Sequence, residues 1–339
     1  MSKTFSPGLS SAFFAVLVAI LIGSLGYAWV VRRSLSGTAG DRPRVLKLGH
    51  GLPTEHPVHT AMQYMADRVR ELSGGSLEIG IYPSGMIGSE AECLKQVQNG
   101  QIDLAKTSSA VLESSVPEMV ALGMPYLFRD DDHYWKVLLG PIGRELGELP
   151  KGMRALTYYD SGRRSLYTVK KPVHTPDDVR GLKVRTQQSR CAMDMILALG
   201  GAPTPIPWGE LYTALSQGTV DGAENNLPSF DTGRHLEVCR YFIMTEHSQV
   251  PDMLMISRAT WESLLPEQRR WLEQAAAEST VKQRELWKEA ETTARAKSLE
   301  QGVKFIEVDK KAFAEKTRPM YEKQPPEVKA FIEKIREVE

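Results

Sequence analysis

The chain has 339 residues, of which 42% are hydrophobic and 25% charged, with 42 Lys and Arg against 42 Asp and Glu. This is the composition of a globular protein of one large or two medium domains, and it excludes a collagen, a disordered chain and a polytopic membrane protein. A formal charge of zero also excludes the basic footprint with which nucleic-acid binders neutralise phosphates, so no nucleic-acid partner is expected.

Residues 1–39 differ from the rest. Their charged residues are Lys3, Arg32 and Arg33, all basic, which leaves the remainder slightly acidic. From 12 to 31 every residue is apolar or aromatic except Gly23, Ser24 and Gly26, a run long enough to span a bilayer as a helix. A secretory signal peptide has a shorter apolar stretch and a small-residue cleavage site, for which Gly37-Thr38-Ala39 is a weak candidate. A cleaved signal and a retained anchor both stay open. Arg32 and Arg33 follow the apolar run, and charge alone favours a cytoplasmic C-terminal part. Cys93, Cys191 and Cys239 lie far apart, match no metal spacing and can form at most one disulfide; the apolar contexts of Cys191 and Cys239 suit small buried hydrophobes.

From residue 45 the chain alternates strand and helix. Residues 45–49 read as a strand, followed by a loop marked by Gly51, Pro53 and His56-Pro57. Val58, Met62, Met65, Val69 and Leu72 then line one helical face, and 77–82 reads as a second strand. This strand-helix-strand unit builds parallel sheets. A helix over 90–98, a strand at 102–105 and a helix over 131–139 follow, and further strands are expected at 153–159, 165–169, 182–185, 219–223, 241–245 and 253–257. The class is α/β, with strands enough for two sheets. The last 80 residues turn helical: Thr260 is the expected N-cap of a helix of roughly 30 to 35 residues, about 50 Å long and able to lie across two domains.

The catalytic motifs are missing: there is no G-x-G-x-x-G, Walker A, G-x-S-x-G, H-E-x-x-H or C-x-x-C. His56 and His59 flank Pro57 without a third ligand nearby, and Asp130-Asp131-Asp132 reads as a solvated helix start. Arg185 at the end of GLKVRT and Arg164 beside the turn in DSGRRS carry the chemistry instead. A guanidinium at a strand end clamps a carboxylate through two parallel hydrogen bonds, so two such arginines point to a small anionic ligand.

GSEAECLKQVQNGQIDLA (88–105), LGMPYLFRD (122–130), TPDDVRGLKVRT (175–186), GAPTPIPWGELYTALSQGTVDGAENN (201–226) and TEH (245–247) occur in that order. Over about 47–321 the chain thus closely resembles the extracytoplasmic solute-binding subunits of tripartite ATP-independent periplasmic (TRAP) transporters, the DctP family. The resemblance implies a two-lobed periplasmic solute-binding fold, with hinge strands and a long helix bracing both lobes. One lobe would take 43–162 with 251–290, the other 163–250 with 291–339. It implies an exported, periplasmic protein despite the arginines after the apolar run. It also implies a small organic acid as ligand, the small and large TRAP membrane permease subunits as partners, and no cofactor, metal or catalysis.

By the same resemblance Arg185 forms the salt bridge to the ligand carboxylate, Arg164 and Asn225 complete that site, and Trp208 lies against the ligand. Ser108, Glu90, His50 and His247 are expected to grip its far end. Ser108 stands where sialic-acid-binding relatives place an acidic residue, which argues against sialate. AENN (223–226) and TEH look like the members that bind sugar acids such as uronates and aldonates. A C4-dicarboxylate or 2-keto acid ligand, a sensing module, and an enzyme using Glu90 or His247 as acid or base remain alternatives.

Overall fold

A computed structural model describes residues 42–339; the apolar run at 12–31 and its role as signal or anchor lie outside the described residues. The first part of the chain runs β1 (Arg44–Gly49), α1 (Pro57–Leu72), β2 (Leu77–Tyr82), α2 (Glu90–Gln98), β3 (Leu104–Ser108), α3 (Asp131–Leu139), α4 (Pro141–Glu148) and β4 (Met153–Tyr159). Then come β5 (Arg164–Thr168), β6 (Lys183–Thr186), α5 (Arg190–Ala198), β7 (Ala202–Pro205), α6 (Trp208–Ser216), β8 (Gly222–Asn225), α7 (Leu227–Thr232), β9 (Tyr241–Ser248) and β10 (Asp252–Ser257). The chain ends with α8 (Pro266–Glu300), β11 (Lys304–Ile306), α9 (Lys310–Thr317) and α10 (Pro326–Arg336).

The strands form two sheets. One has the order β2-β1-β3-β10-β4, the other β11-β9-β5-β8-β6-β7. In the first, β2, β1 and β3 are parallel and β10 runs antiparallel between β3 and β4. In the second, β5 is antiparallel to both β8 and β9, while β8, β6 and β7 run parallel. Helix α1 shows why the first sheet forms: Val58, Met62, Met65 and Val69 are fully buried, and His56 caps the start by accepting from the Val58 amide through Nδ1 at 3.2 Å. Two short strands escape the sequence reading. β7 carries Pro203 and Pro205 and survives because it is an edge strand, where a missing amide breaks no inner ladder; β11 has only three residues.

Besides the stretch through α8 from β10 to β11, two short chain passages link the sheets, 160–163 from β4 to β5 and 249–251 from β9 to β10. The Ser161 hydroxyl donates to the Val250 carbonyl and ties them together. Helix α8 lies along this seam. Thr280 meets Thr157 at 2.5 Å, Ser279 meets Tyr159 at 2.9 Å, and Lys297 reaches Asp231 of α7 at 3.0 Å. Gln283 clamps the first passage from both sides: its Oε1 accepts from the Asp160 amide at 2.8 Å and its Nε2 donates to the Asp160 carbonyl at 2.9 Å. Gly162 has φ +56°, and a Cβ there would meet Trp287 Nε1 at 2.7 Å and Glu291 Oε1 at 2.8 Å, so this point admits only glycine.

One sequence expectation needs correction. Thr260 does not cap the long helix: it lies within a short helix, Arg258–Ser263, and its hydroxyl donates to Asp103 at 2.8 Å. Pro266 is the first residue of the 35-residue α8, where its lack of an amide proton is harmless. The final helix, α10, packs against 117–148. Val328, Phe331, Ile332 and Ile335 of α10 are buried in one core with Met119, Leu138 and Leu146, and Lys334 reaches Glu145 on α4 at 2.8 Å. An amphipathic helix settles where an apolar surface is open, here over 117–148. Asp130 does start a helix as expected, accepting from the His133 amide at 2.8 Å. All three cysteines are free and buried.

Replacing Gln283 by Leu strands the Asp160 amide and carbonyl in the interior, and the expected loss is about 3 kcal/mol. Urea unfolding of both proteins measures it.

Candidate functional site

Between the two sheets lies a cleft of roughly 380 Å³. Arg164, Arg185, Asn225, Trp208, Ser108 and Glu90 all line it, so six of the eight expected residues are brought to one place. Each arrives on an element end: Arg164 opens β5, Asn225 closes β8, Ser108 closes β3, and Glu90 and Trp208 begin α2 and α6. The register between strands sets the group's geometry. Arg185 pairs with Ala223 and Ser165 with Asn225, which puts both arginines beside the end of β8.

The two arginines do different work. Arg164 is buried and already paired: its Nε donates to Glu224 Oε2 at 2.6 Å, its Nη2 to Glu224 Oε1 and to the Glu224 carbonyl, both at 2.8 Å, and its Nη1 to Asn225 Oδ1 at 2.7 Å. Four of its five N–H groups are thereby used inside the protein. Burial works against the Glu224 charge, yet Arg164 and His247 outweigh it and bring its pKa from 4.5 to about 2. Arg185 is 2% exposed and has no carboxylate partner among the described residues. Only its Nε is engaged, donating to the Ile206 carbonyl at 2.8 Å, and its buried Nη1 has no partner at all. Burial, together with the nearby Arg164 charge, pulls its pKa down. A buried cation in this state stores an unmet demand for an anion.

Asn225 supports the same end of the cleft. Its Oδ1 accepts from Arg164, from the Asn226 amide at 2.9 Å and from Asn226 Nδ2 at 3.1 Å, which leaves its own amide nitrogen as the group able to donate outward. Trp208 is half-buried beside His235, ring centroids 5.1 Å apart, and presents the rest of its indole to the cleft. Ser108 Oγ lies 3.5 Å from Gln187 Oε1, a contact between the strand ends of opposite sheets. His56, at the start of α1, makes a further contact through Nε2 with Ser229 Oγ of α7 at 3.2 Å.

His50 and His247 do not line the cleft. His50 turns inward, with Nδ1 accepting from the Leu52 amide at 3.1 Å and Nε2 facing His59 Nδ1 at 3.0 Å. Burial and the Lys106 charge lower its pKa to about 3, so it stays neutral. His247 sits behind the arginine pair, held by Thr245 Oγ1 at 2.9 Å and 3.5 Å from Glu224 Oε2. Sequence reasoning missed Lys106, Asp252, Gln187, Asn226 and Ser229, all of which line the cleft. Lys106 is the surprise: a lysine in the buried strand LAKTS, it donates to Glu90 at 2.7 Å and lies 3.1 Å from Asp252 across the β3–β10 pair. Only an unusual lysine amid apolar strand residues signalled it.

Two α/β sheets joined by paired crossings, with a polar cleft between them that holds an unpaired cation, define a two-lobed binding protein for a small anion. The chain matches bacterial extracellular solute-binding protein, family 7 (DctP), over residues 48–327 and belongs to that family, whose members work with a membrane permease. Among solved structures it is similar to a TRAP periplasmic solute-binding protein of Bradyrhizobium sp. BTAi1 in complex with galacturonate. The two share 38% identity and a TM-score of 0.84, covering 86% of this chain and 99% of that one. The TRAP solute-binding protein of Chromohalobacter salexigens with bound D-glucuronate is 33% identical, TM-score 0.84, over 87% and 100% of the two chains. The 2,3-diketo-L-gulonate-binding periplasmic protein of Escherichia coli K12 is 29% identical over 301 residues, 87% of this chain and 92% of that protein.

Glu224→Gln leaves Arg164 without its counter-charge, and the expected destabilisation at pH 7 is about 3 kcal/mol. Because the folded-state pKa of Glu224 lies below its ordinary value, its contribution is complete above pH 4.5 and is lost as pH falls toward 2. Urea unfolding between pH 2.5 and 7 gives a shallower acid slope for the variant than for the native protein.

Proposed function

We propose that this protein captures a uronate in the cleft and hands it to a TRAP permease of small and large membrane subunits. The observation that carries the reading is Arg185: a buried guanidinium with an empty Nη1 is the counterpart of a planar carboxylate, which accepts two parallel N–H bonds. The Asn225 amide adds a donor, Arg164 has one N–H left, and Trp208 offers a flat face to the C–H bonds of a sugar ring. The galacturonate and glucuronate bound to the two structural relatives support the same ligand class. In this reading the lobes are 43–162 with 251–290 and 163–250 with most of 291–339. Residues 1–39 direct export to the periplasm as a cleaved signal or an anchor.

The ligand works by shifting a population. Its carboxylate is held by the second sheet and its hydroxyls reach Glu90 and Ser108 on the first, so bound ligand stabilises the closed arrangement that the permease recognises. The contacts His56 to Ser229 and Ser108 to Gln187 belong to that arrangement.

Replacing Arg185 separates binding from folding. Arg185→Lys keeps the charge but loses the planar fork, and its affinity for D-glucuronate or D-galacturonate falls at least about tenfold by calorimetry. Arg185→Leu abolishes uronate binding yet leaves the urea midpoint of the ligand-free protein equal or higher, because an unpaired buried charge is removed. Native-like uronate affinity in Arg185→Leu overturns the reading.

A further inference from the structure

Three cations line the cleft, and they are not equally supplied with anions. Arg164 is bidentate with Glu224, and Lys106 lies between Glu90 at 2.7 Å and Asp252 at 3.1 Å. Arg185 alone lacks a carboxylate partner among the described residues. The Lys106 group is buried, its three side chains being 3%, 14% and 9% exposed, and it holds two carboxylates against one ammonium. The histidines beside it do not restore the balance. Burial, with Lys106 adding to it, keeps His50 and His56 neutral. The other charged residues on the lining, Glu92 and Glu210, are also acidic.

The cleft is therefore polarised. At the Arg185 pole it has one positive charge to spare, and at the Glu90 pole it is negative and rich in acceptors. An ionised carboxylate accepts hydrogen bonds and donates none. Glu90 Oε1 accepts a hydrogen bond from the Lys106 ammonium at 2.7 Å, and its Oε2 meets only the Ser108 amide at 3.5 Å, so that oxygen still has lone pairs open to the cleft. A hydroxyl can donate there; a second carboxylate has nothing to donate and meets a group whose net charge is already negative.

We infer that the Glu90–Lys106–Asp252 group makes this site selective for monocarboxylic sugar acids over the matching dicarboxylic acids. Glu90 accepts a ligand hydroxyl at the far end, and Asp252 is a positioning residue that acts through Lys106. The inference rests on the uronate reading and narrows it to ligands with one carboxylate.

D-Gluconate and D-glucarate have the same carbon chain and differ only in a terminal hydroxymethyl against a carboxylate, so comparing them removes the effect of shape. Calorimetry with D-glucuronate, D-gluconate and D-glucarate is run on the purified full-length protein, on Glu90→Gln and on Asp252→Asn, with melting curves to confirm folding. The native protein is expected to bind glucarate at least about 100-fold more weakly than the better bound of the two monoacids, in line with the penalty on like charges at close quarters. Glu90→Gln narrows that gap at least about tenfold. Asp252→Asn narrows it as well, whereas a merely structural role for Asp252 would weaken every acid alike. Glucarate affinity within threefold of the monoacids in the native protein, or a gap that Glu90→Gln leaves unchanged, overturns the inference while the uronate reading stands. Failure of all three acids to bind the native protein removes both.

Discussion

An arginine buried without an anion is a poor choice for stability, and everything around Arg185 exists to keep it there. Its Nε is fixed by the Ile206 carbonyl, its strand is held between β7 and β8, and Glu224, the carboxylate that acts most on its charge, is taken up by Arg164. The arrangement is costly on purpose: had Glu224 faced Arg185 instead, the cleft would hold a satisfied ion pair and no reason to bind. The two arginines thus divide, one paired with Glu224 and the other left open toward the cleft, and the proposed binding role rests on that difference.

The seam behind the cleft is built on a different principle. Where the backbone crosses between sheets it leaves both ladders, and its polar groups must find other partners. Gln283 supplies both for Asp160, and Ser161 supplies one for Val250. Gly162 lets the chain turn under Trp287 without a collision. The joint is thus a stretch of satisfied backbone rather than a loose linker, with the long helix lying along it.

Much of this was legible beforehand, for identifiable reasons. The α1 face at Val58, Met62, Met65 and Val69 repeats at helical spacing, and strands such as β2 alternate cleanly, so local pattern sufficed. Family motifs pointed to Arg185, Arg164, Asn225 and Trp208, which the fold gathers along one cleft. What escaped depends on pairing across long separations. Lys106 meets Asp252 only because β3 and β10 are antiparallel neighbours, a relation no local window contains. His50 and His247 were misread for the converse reason: a histidine beside a strand end is polar in sequence, but whether it faces the cleft or the interior is set by partners such as Leu52 and Thr245. The break before Pro266 was readable from proline itself, had Thr260 not looked so suitable a cap.

The return of the last helix to the beginning of the fold has its own consequence. Met119, Leu138 and Leu146 belong to a core that is closed by Val328, Phe331, Ile332 and Ile335, residues synthesised almost last. The core over 117–146 is thus begun early in the chain and completed by residues 328–335. A ribosome-bound intermediate therefore carries an open apolar face until the C-terminus emerges.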